Sequence, residues 1–363
     1  MKIIFDNIIY NLQNSGGGSV YWTELMKRFL QTDEDVIGVD QKEPHNNLFR
    51  DLVVFPRQLK ETVLHLKVRR YLPFTISIRE KAIFHSSLYR VSNSRNAINV
   101  TSVHDFTTEK FRRGLPAFVH HFQKRYALKR SDGIVCISEN TKKDLLKFHP
   151  YVPEKKIRVI YNGASEDFFV LSNEEKIHFV EYEQLIPAQK KLIIFIGHRT
   201  SYKNFDIAVK TISMLSDAYH LLVIGEPLNN TEIELISGLL PKSKYTILSK
   251  IKNPALNYFY NIAFCLFYPS SYEGFGIPVV EAMKAGCPVV TTDRSSIPEV
   301  AGDAAIMVTE IKEEAFVKAV VSLEEASFRL HLINLGFEQS RKFKWDTAFE
   351  QYYQFYKDLY HAG

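Results

Sequence analysis

The sequence predicts an α/β protein of two doubly wound domains, each built on a parallel β-sheet that carries helices on both faces. Short apolar runs that suit buried strands alternate with helical patterns from one end of the 363 residues to the other. The alternation starts afresh near residue 191, after a polar and poorly periodic stretch at 164–190. The length also suits about two domains, each able to bury its own core.

The composition is that of an ordinary globular protein, with 45% hydrophobic and 24% charged residues. No apolar run approaches the roughly 18 residues of a membrane span, and an acid at position 6 favours a first strand over a signal peptide. Three cysteines in apolar surroundings, Cys136, Cys265 and Cys287, indicate reduced thiols and a cytoplasmic protein. The net charge of +5 is modest and no nucleic-acid-binding module is recognisable, so we expect no nucleic-acid partner.

The first strand is predicted at Lys2–Ile9 and the first helix at Val20–Leu30. Between them lie three consecutive glycines, Gly16, Gly17 and Gly18. A glycine loop between a strand and a helix suits a phosphate or another ligand, although such clusters are more often plain turns. The loop is not G-x-G-x-x-G, which lowers the case for a dinucleotide-dependent dehydrogenase.

Four further strands are predicted in the first half, at residues 36–39, 52–55, 82–85 and 98–103. His104 follows the last of them, and ligands of α/β proteins bind at this end of parallel strands. A histidine that is hydrogen-bonded in the interior is the alternative. Asp105 could either orient His104 or cap the next helix.

Two segments of the first half combine basic and apolar residues. The first, residues 109–130, holds seven basic residues: Lys110, Arg112, Arg113, Lys124, Arg125, Lys129 and Arg130. The second spans residues 57–71. One interpretation is a pair of helices that cover the sheet and expose charged outer faces. The other is peripheral contact with an anionic membrane, to which each basic residue near the surface contributes about 1 kcal/mol.

The boundary between the domains is predicted from turn residues. A strand at Ile157–Tyr161 ends at an Asn-Gly turn, which precedes the poorly periodic stretch. We therefore predict a first domain at 1–165 and a second at 166–344. Upstream of the turn, Ser138 is expected to cap a helix, and the aromatic final helix is predicted from Trp345 onward.

The second half opens with an apolar strand that ends at Gly197, followed by Arg199 and Lys203. Two cations four residues apart suit a diphosphate, because a guanidinium can bind two oxygens and an ammonium adds a point charge. As surface residues they would be unremarkable. A later strand at 245–248 leads toward Ile251.

The chain is organised around residues 264–290, where an apolar strand, a loop with two glycines and a helix follow one another. A proline suits the first turn of that helix, whose N–H groups near Gly276 and Ile277 could bind an anion. Glu273 and Glu281 lie on either side of the loop, and carboxylates accept hydrogen bonds from sugar hydroxyls. The plainer alternative is a solvated Glu273 and a Glu281 that complements the helix dipole.

The string EGFGIPVVEAMKAGCPVV, which begins at Glu273, resembles the signature of the retaining GT-B glycosyltransferases of family four. The pattern G-x-R-x-x-x-K-N, which begins at Gly197, resembles the motif with which this family grips a diphosphate. The resemblance is detailed over residues 191–300 and sparser before them. It implies two Rossmann-like domains that face a central cleft, with the final helix, 345–363, packing back on the first domain.

The resemblance implies how the donor diphosphate is bound. Arg199 and Lys203 would offset its negative charge. Gly197 belongs to the same motif, and the backbone N–H groups at Gly276 and Ile277 would complete the site.

The resemblance also implies which residues contact the rest of the donor. Glu281 would bind the ribose hydroxyls and Glu273 the hydroxyls of the transferred sugar. His104 would line the sugar pocket, and the loop Gly16–Gly18 would allow close backbone approach between donor and acceptor. The backbone of Ile251 would meet the base.

The implied reaction moves a hexosyl group from a nucleotide diphosphate sugar, with GDP-mannose favoured, to a glycan or lipid-linked acceptor in surface polysaccharide synthesis at the inner face of the cell membrane. Because no second carboxylate is evident beside Glu273, retention implies same-face attack rather than a glycosyl-enzyme. No metal and no cofactor are expected, since Arg199 and Lys203 supply the positive charge. Two alternatives stay open. One is a sugar-nucleotide epimerase of the same fold that uses Glu273 or His104 for proton transfer, and the other is a catalytically idle scaffold.

Overall fold

The computed structural model describes residues 1–14, 16–62 and 65–362, and it divides into two compact units. Unit 1 comprises Met1–Gly163 together with the segment that starts at Lys344. Unit 2 comprises Ala164–Phe343. The chain therefore passes from one unit to the other at 163/164 and returns at 343/344.

Unit 1 is built on a parallel sheet of seven strands in the order β3-β2-β1-β4-β5-β6-β7. The strands are β1 (Lys2–Asp6), β2 (Asp35–Gln41), β3 (Arg57–Glu61), β4 (Ala82–Ser86), β5 (Ala97–Val103), β6 (Gly133–Cys136) and β7 (Ile157–Val159). The central strands are almost wholly buried, since parallel sheets are covered on both faces. Strand order reverses between β1 and β4, and ligands of such sheets bind beside the reversal point.

The described part of unit 1 contains six α-helices: α1 (Gly17–Phe29), α2 (Leu66–Arg69), α3 (Thr107–Phe111), α4 (Leu115–Arg130), α5 (Glu139–Phe148) and the last helix, α15 (Trp345–Ala362). The aromatic α15 packs against α1. Phe29 stacks on Tyr356 with ring centroids 5.0 Å apart, and the hydroxyls of Tyr21 and Tyr352 lie 2.6 Å apart. These contacts join the end of the chain to the core of unit 1.

Three predictions for unit 1 are wrong. The first strand ends at Asp6, and residues 52–55 form no strand, because the next strand is β3 at Arg57–Glu61. β3 lies at the edge of the sheet with its first four side chains exposed, so its sequence lacks the apolar signal of a buried strand. The second basic segment, 57–71, is consequently a strand and a single helical turn rather than a helix, and its residues 63 and 64 lie outside the described residues.

Unit 2 is built on six parallel strands in the order β10-β9-β8-β11-β12-β13. They are β8 (Lys191–Ile196), β9 (Tyr219–Ile224), β10 (Tyr245–Leu248), β11 (Cys265–Tyr268), β12 (Val289–Thr292) and β13 (Ala305–Val308). Here the order reverses between β8 and β11. The loops that follow these two strands are those in which the sequence predicts the diphosphate cations and Glu273.

Nine described helices accompany this sheet: α6 (Asn173–Ile177), α7 (Val180–Glu183), α8 (Phe205–Met214), α9 (Asn230–Leu239), α10 (Asn253–Ile262), α11 (Ile277–Lys284), α12 (Ile297–Ala301), α13 (Glu313–Ser322) and α14 (Ala326–Ser340). Two all-parallel α/β sheets confirm the predicted fold class. The three cysteines are reduced and buried, as predicted. Within the described ranges, no helix combines the length and the apolar character that crossing a bilayer requires.

Candidate functional site

The loop after β8 is fastened to the loop after β11. Asn204 adopts a left-handed conformation with φ of 51° at the start of α8. Its amide donates to the Pro269 carbonyl and to Oγ of Ser271, at 2.7 Å each. The Ser271 N–H in turn donates to the Tyr202 carbonyl at 2.7 Å. These bonds hold Lys203, the residue before Asn204, against the Glu273 loop.

Lys203 and Glu273, two of the predicted site residues, form an ion pair. The ammonium also donates to the Tyr268 hydroxyl at 3.0 Å. The Glu273 N–H donates to Oγ of Ser295 at 2.7 Å, and Ser296 Oγ donates to the Glu273 carbonyl at 3.0 Å. The turn before α12 therefore fixes the backbone of Glu273, and the ion pair with Lys203 orients its carboxylate. Sequence reasoning assigned no site role to Tyr268, Ser295 or Ser296.

The glycine loop after Glu273 leads directly into α11. Gly276 has a φ of +102°, a backbone conformation that other residues rarely adopt, so glycine is required here. A Cβ added there would also lie 2.9 Å from Cδ1 of Ile297, which would have to shift. α11 starts at Ile277, with the predicted proline in its first turn. The first N–H groups of a helix have no acceptor within the helix and carry partial positive charge. This end of α11 can therefore bind an anion.

Glu281 lies in the second turn of α11, beside the Tyr260 hydroxyl at 3.5 Å from Oε2. Burial raises the pKa of the Glu281 carboxyl from 4.5 to about 8. The Tyr260 hydroxyl and the Lys284 ammonium oppose this rise, whereas the Asp167 carboxylate adds to it. At neutral pH the unliganded carboxyl is therefore mostly protonated, which the sequence did not indicate.

Arg199, another predicted site residue, is held by residues of the chain that follow β9. Its guanidinium pairs with Glu232 on α9, with Nε 3.0 Å from Oε2, and Nη2 donates to the Glu226 and Pro227 carbonyls at 2.7 and 2.8 Å. The side chain is 4% exposed, and buried Nη1 has no hydrogen-bond partner among the described residues. A buried guanidinium with an unused donor suits an anionic ligand.

Apart from Ile277 and Glu281, which lie in α11, the predicted site residues of unit 2 lie in loops at one edge of its sheet. Because the strands are parallel, the residues that follow β8, β9, β10 and β11 meet at the carboxyl edge. Arg199 and Lys203 follow β8, Ile251 follows β10, and Glu273 follows β11. The edge thus combines two cations, a helix N-terminus and two carboxyl groups, a set that can bind a diphosphate joined to hydroxylated rings.

In unit 1 the predicted glycine loop forms the start of α1. Gly16 is the N-cap residue with a φ of +146°, and Gly17 and Gly18 lie in the first helical turn, so the helix begins three residues before the predicted start. Ser15 lies outside the described residues. A Cβ added to Gly17 would meet no atom within 4 Å. Among the residues that the structure describes, no packing contact requires glycine at this position.

His104 follows β5, as predicted, and its ring meets the edge of Tyr21 at a centroid distance of 4.6 Å. Burial lowers the pKa of His104 to about 4; the Asp105 carboxylate opposes this fall and the Lys124 ammonium adds to it. The imidazole is therefore neutral at pH 7. Asp105 lies one residue before Phe106, the N-cap of α3, and its Oδ1 accepts from the Thr107 N–H at 2.9 Å and from the Thr107 hydroxyl at 2.7 Å. Asp105 thus binds the first residue of the helix, close to the second of its two predicted roles.

The first basic segment is two helices, α3 and α4, and its charge distribution differs from the prediction. Lys124 is completely buried rather than on an outer face, with its ammonium 2.8 Å from Oε1 of Glu109. Apolar side chains are exposed instead: Leu115 at 73%, Phe118 at 67% and Phe122 at 63%. Their spacing of three and four residues places them on one side of α4. The helix thus presents an apolar stripe to solvent.

Two family models match the chain, one in each half. Residues 15–168 match the model described as Glycosyltransferase Family 4, and residues 176–336 match the model described as Glycosyl transferases group 1. Together the two models span most of both units.

Relatives of known name match over part of their length. The chain is 27% identical over 206 residues to the O-antigen chain mannosyltransferase RfbU of Salmonella typhimurium, covering 56% of this chain and 54% of that protein. It is also 27% identical over 233 residues to O-antigen chain mannosyltransferase B of Escherichia coli, covering 62% and 60%. The matched region thus spans little more than half the length of these relatives.

Solved structures resemble the chain over its whole length. The sucrose-phosphate synthase of Thermosynechococcus elongatus superposes with a TM-score of 0.77 at 16% identity and full coverage of both chains. Anabaena Alr3699/HepE, in complex with UDP and glucose, gives 0.74 at 13% identity with 98% coverage of each chain. At such identities the likeness establishes the fold.

Proposed function

The chain belongs to the group 1 glycosyltransferases of GT-B fold, and we propose that it transfers a hexose from a nucleotide diphosphate sugar to an acceptor hydroxyl in polysaccharide synthesis. Mannose is the favoured sugar, because the two relatives described above are named mannosyltransferases of O-antigen chains. A glycan or a lipid-linked oligosaccharide is the proposed acceptor. GDP-mannose is the proposed donor.

One observation carries the proposal. Arg199 and Lys203 lie at the same sheet edge as Glu273 and the N-terminus of α11, at the point where strand order reverses. Positive charge and carboxyl groups side by side fit a ligand with an anionic part and a hydroxylated part. A nucleotide sugar has both, whereas a simple phosphate or a neutral sugar uses only half of the site.

The cations are proposed to act on the leaving group. When the glycosidic bond breaks, negative charge develops on the nucleotide diphosphate, and preorganised donors stabilise that charge. Arg199 can direct its unused Nη1 to a phosphate oxygen, Lys203 adds a point charge, and the N–H groups at Gly276 and Ile277 supply neutral donors. Gly197 belongs to the same loop. Two fixed cations make a metal ion unnecessary for this step.

The carboxyl groups are proposed to bind hydroxyls. Glu281, once ionised, accepts hydrogen bonds from the ribose, and Glu273 accepts them from the transferred sugar. His104, which is neutral at pH 7, is proposed to contact the transferred sugar as a hydrogen-bonding group without charge. The backbone of Ile251 is assigned to the base. The loop Gly16–Gly18 is assigned to close approach between donor and acceptor.

Retention of configuration is proposed to follow from same-face attack. The acceptor hydroxyl approaches on the side of the departing diphosphate, whose oxygen takes the hydroxyl proton as the new glycosidic bond forms. Glu273 is assigned to the sugar hydroxyls and Glu281 to the ribose, so neither carboxyl group is assigned to attack the anomeric carbon. A glycosyl-enzyme would require a carboxylate held against the anomeric carbon.

The test combines a donor panel with one variant. Thermal shifts with GDP, UDP, ADP and their sugars identify the donor, and transfer to a lipid-linked acceptor is then measured with that donor. Arg199→Ala should lower kcat/KM by about 10²–10³, the usual effect of removing one preorganised donor. Arg294→Ala is the matched control, because Arg294 is a half-exposed arginine of the same unit that binds a backbone carbonyl. Equal activity of both variants would refute the diphosphate assignment.

Donor alone separates transfer from epimerisation. An epimerase converts the nucleotide sugar without an acceptor, whereas a transferase only hydrolyses it slowly. An idle scaffold would neither convert donor nor release nucleotide. The ion pair of Lys203 and the orientation of Glu273 argue against an idle protein, since a broken site would be its mark.

Contact with an anionic membrane is proposed for the exposed stripe of α4. Leu115, Phe118 and Phe122 can enter the interface, while Arg112 and Arg113, exposed just before the helix, attract anionic headgroups. Such contact would bring a lipid-linked acceptor to the enzyme. The pairing of apolar side chains with adjacent cations favours lipid over a purely apolar protein partner.

Liposome flotation tests this contact. The full chain should float with anionic vesicles and much less with neutral ones, and Phe118→Ser combined with Phe122→Ser should abolish flotation. Leu330→Ser is the control, because Leu330 is 58% exposed on a helix of unit 2. Equal flotation with both vesicle types, or of the double variant and wild type, would exclude the proposed contact.

A further inference from the structure

Three side chains from separate elements of unit 1 converge beside the exposed stripe of α4. Glu109 lies on α3, His121 on α4, and His149 directly after α5. One carboxylate oxygen of Glu109 and one ring nitrogen of each histidine all lie within 4.8 Å of one another. Glu109 and His149 are buried, whereas the His121 side chain is 40% exposed. The cluster is therefore closed on its inner side and open to solvent at His121.

His149 is the fully buried imidazole of this cluster. Its Nδ1 lies 3.1 Å from the Tyr151 hydroxyl oxygen, and that hydroxyl donates its own proton to the Arg125 carbonyl at 3.4 Å. With the Tyr151 hydroxyl donating to Arg125, Nδ1 is assigned the ring proton, which leaves the lone pair on Nε2. Nε2 is buried and has no hydrogen-bond partner among the described residues. This is the arrangement of a metal-binding histidine, whose other nitrogen donates to an oxygen and so fixes the tautomer.

His121 lies close to both other residues of the cluster. Its ring stacks on the His149 ring with centroids 5.2 Å apart, and its Nδ1 lies 3.9 Å from Oε1 of Glu109.

The neighbouring cations select the kind of ion. The Lys124 ammonium lies 2.8 Å from Oε1 and 3.0 Å from Oε2 of Glu109, so the carboxylate already carries a positive partner. Calcium and magnesium need several oxygen ligands, whereas the cluster offers one carboxylate that Lys124 already shares. Two imidazoles favour zinc and similar transition metals instead.

We propose that Glu109, His121 and His149 form a binding site for one divalent transition-metal ion of the zinc class. In tetrahedral coordination with bonds of about 2.1 Å, ligand atoms lie about 3.4 Å apart, so the cluster closes by roughly 1 Å when it binds. The exposed His121 makes that movement, and water completes the coordination. The ion joins α3, α4 and the end of α5, independently of the proposed transfer reaction.

Metal titration of the full chain tests the site. Protein freed of metal by a chelator is titrated with ZnCl₂ against a chromophoric competitor, and Co²⁺ absorption reports tetrahedral coordination. Wild type should bind one equivalent, and His121→Asn and His149→Asn should each weaken binding by about tenfold or more. His178→Asn, an exposed histidine of unit 2, is the matched control and should bind like wild type. Excess Mg²⁺ or Ca²⁺ should not compete.

Melting experiments distinguish a loss of metal binding from a folding defect of the variant. His121 is partly exposed, so His121→Asn should melt like wild type without metal. Zinc should raise the melting temperature of wild type and of His178→Asn but not of His121→Asn, because only a protein with the site gains stability from binding. Lack of saturable binding, or equal binding by wild type and both cluster variants, would overturn the proposal.

Discussion

Lys203 and Glu273 lie 70 residues apart in the chain and form an ion pair at the carboxyl edge of the second sheet, with side chains only 13% and 11% exposed. In the proposed reaction both residues have other partners, a phosphate for the lysine and a sugar hydroxyl for the glutamate. In the unliganded protein, the Lys203 ammonium and the Glu273 carboxylate therefore neutralise each other until the donor binds. Donor binding is expected to exchange one set of partners for the other.

This exchange predicts opposite effects of one variant on binding and on turnover. Glu273→Gln leaves Lys203 without its carboxylate, so a nucleoside diphosphate that lacks the sugar should bind about three- to tenfold more tightly, a change on the order of 1 kcal/mol. Turnover should fall by about 10² or more, because the sugar loses its charged hydrogen-bond acceptor. Calorimetry with the nucleotide and initial transfer rates measure the two effects.

Asp206→Asn is the control, because Asp206 is an exposed acid of the same unit that pairs with Lys210. It changes the net charge by the same amount and should alter neither quantity. Weaker nucleotide binding by Glu273→Gln would contradict the exchange, since it would mean that the carboxylate holds Lys203 in place for the phosphate.

The glycine loop predicts a second variant that affects activity without affecting folding. Gly17 is exposed in the first turn of α1 and has no atom within 4 Å of an added Cβ. Gly17→Ala should therefore fold normally and gain up to about 1 kcal/mol from helix propensity. If the bound donor or acceptor contacts this loop, the added methyl group should lower the rate of glycosyl transfer at least tenfold.

Gly238→Ala is the matched control, since Gly238 is an exposed helical glycine of α9 with equally open space around it. It should gain similar stability and keep full activity. Chemical denaturation and transfer rates are measured for both variants. Wild-type activity of Gly17→Ala would show that no ligand approaches the loop.

The sequence could predict the parts of the fold that are buried on both faces. Parallel strands inside a sheet read as continuous apolar runs, so β10 was predicted at its observed bounds and β8 within one residue. The edge strand β3 exposes its first four side chains and carries no such signal. Its neighbourhood was accordingly misassigned as a strand at 52–55 and a basic helix.

The candidate site divides along similar lines. Local motifs indicated Arg199, Lys203, Glu273 and Glu281, because a strand, a loop and a helix start follow one another in the sequence. The order of the strands in the sheet determines which of these residues contact one another, and no single sequence motif predicts that order. The pairing of Arg199 with Glu232 and the burial of Lys124 arise from contacts between distant elements, so no local pattern reports them.

The environment of His104 predicts a separation of stability from activity. Tyr21 presents its ring edge to His104, while its hydroxyl lies 2.7 Å from Ser102 Oγ and 2.6 Å from the Tyr352 hydroxyl. Tyr21→Phe keeps the ring and removes the hydroxyl, so it should cost about 1–3 kcal/mol of unfolding free energy and leave transfer nearly unchanged. Tyr21→Leu should lower both, because it also removes the ring that positions His104.

Urea unfolding and kcat values distinguish these outcomes. If the ring positions the histidine, kcat should be kept in the phenylalanine variant and fall in the leucine variant, beyond any loss of folded protein. A phenylalanine variant with normal stability and low kcat would assign the effect to the hydroxyl instead.

The pKa of Glu281 predicts that donor binding strengthens as pH rises. The carboxyl of the unliganded protein has a pKa raised by burial from 4.5 to about 8, so it is protonated below that pH. Ribose hydroxyls donate best to the carboxylate, and donor binding should therefore release a proton below pH 8. Linkage then gives an affinity that rises by up to about tenfold per pH unit between pH 6 and 8 and levels off above pH 8.

A nucleotide sugar is the suitable probe for this pH dependence, because its diphosphate does not titrate in this range. Calorimetry in buffers of different ionisation enthalpy measures both the affinity and the released proton. Glu281→Gln removes the titrating group, so its affinity should be low and independent of pH. A wild-type affinity that does not change from pH 6 to 9 would show that Glu281 does not bind the ribose. An equal rise in the affinity of Glu281→Gln would show the same.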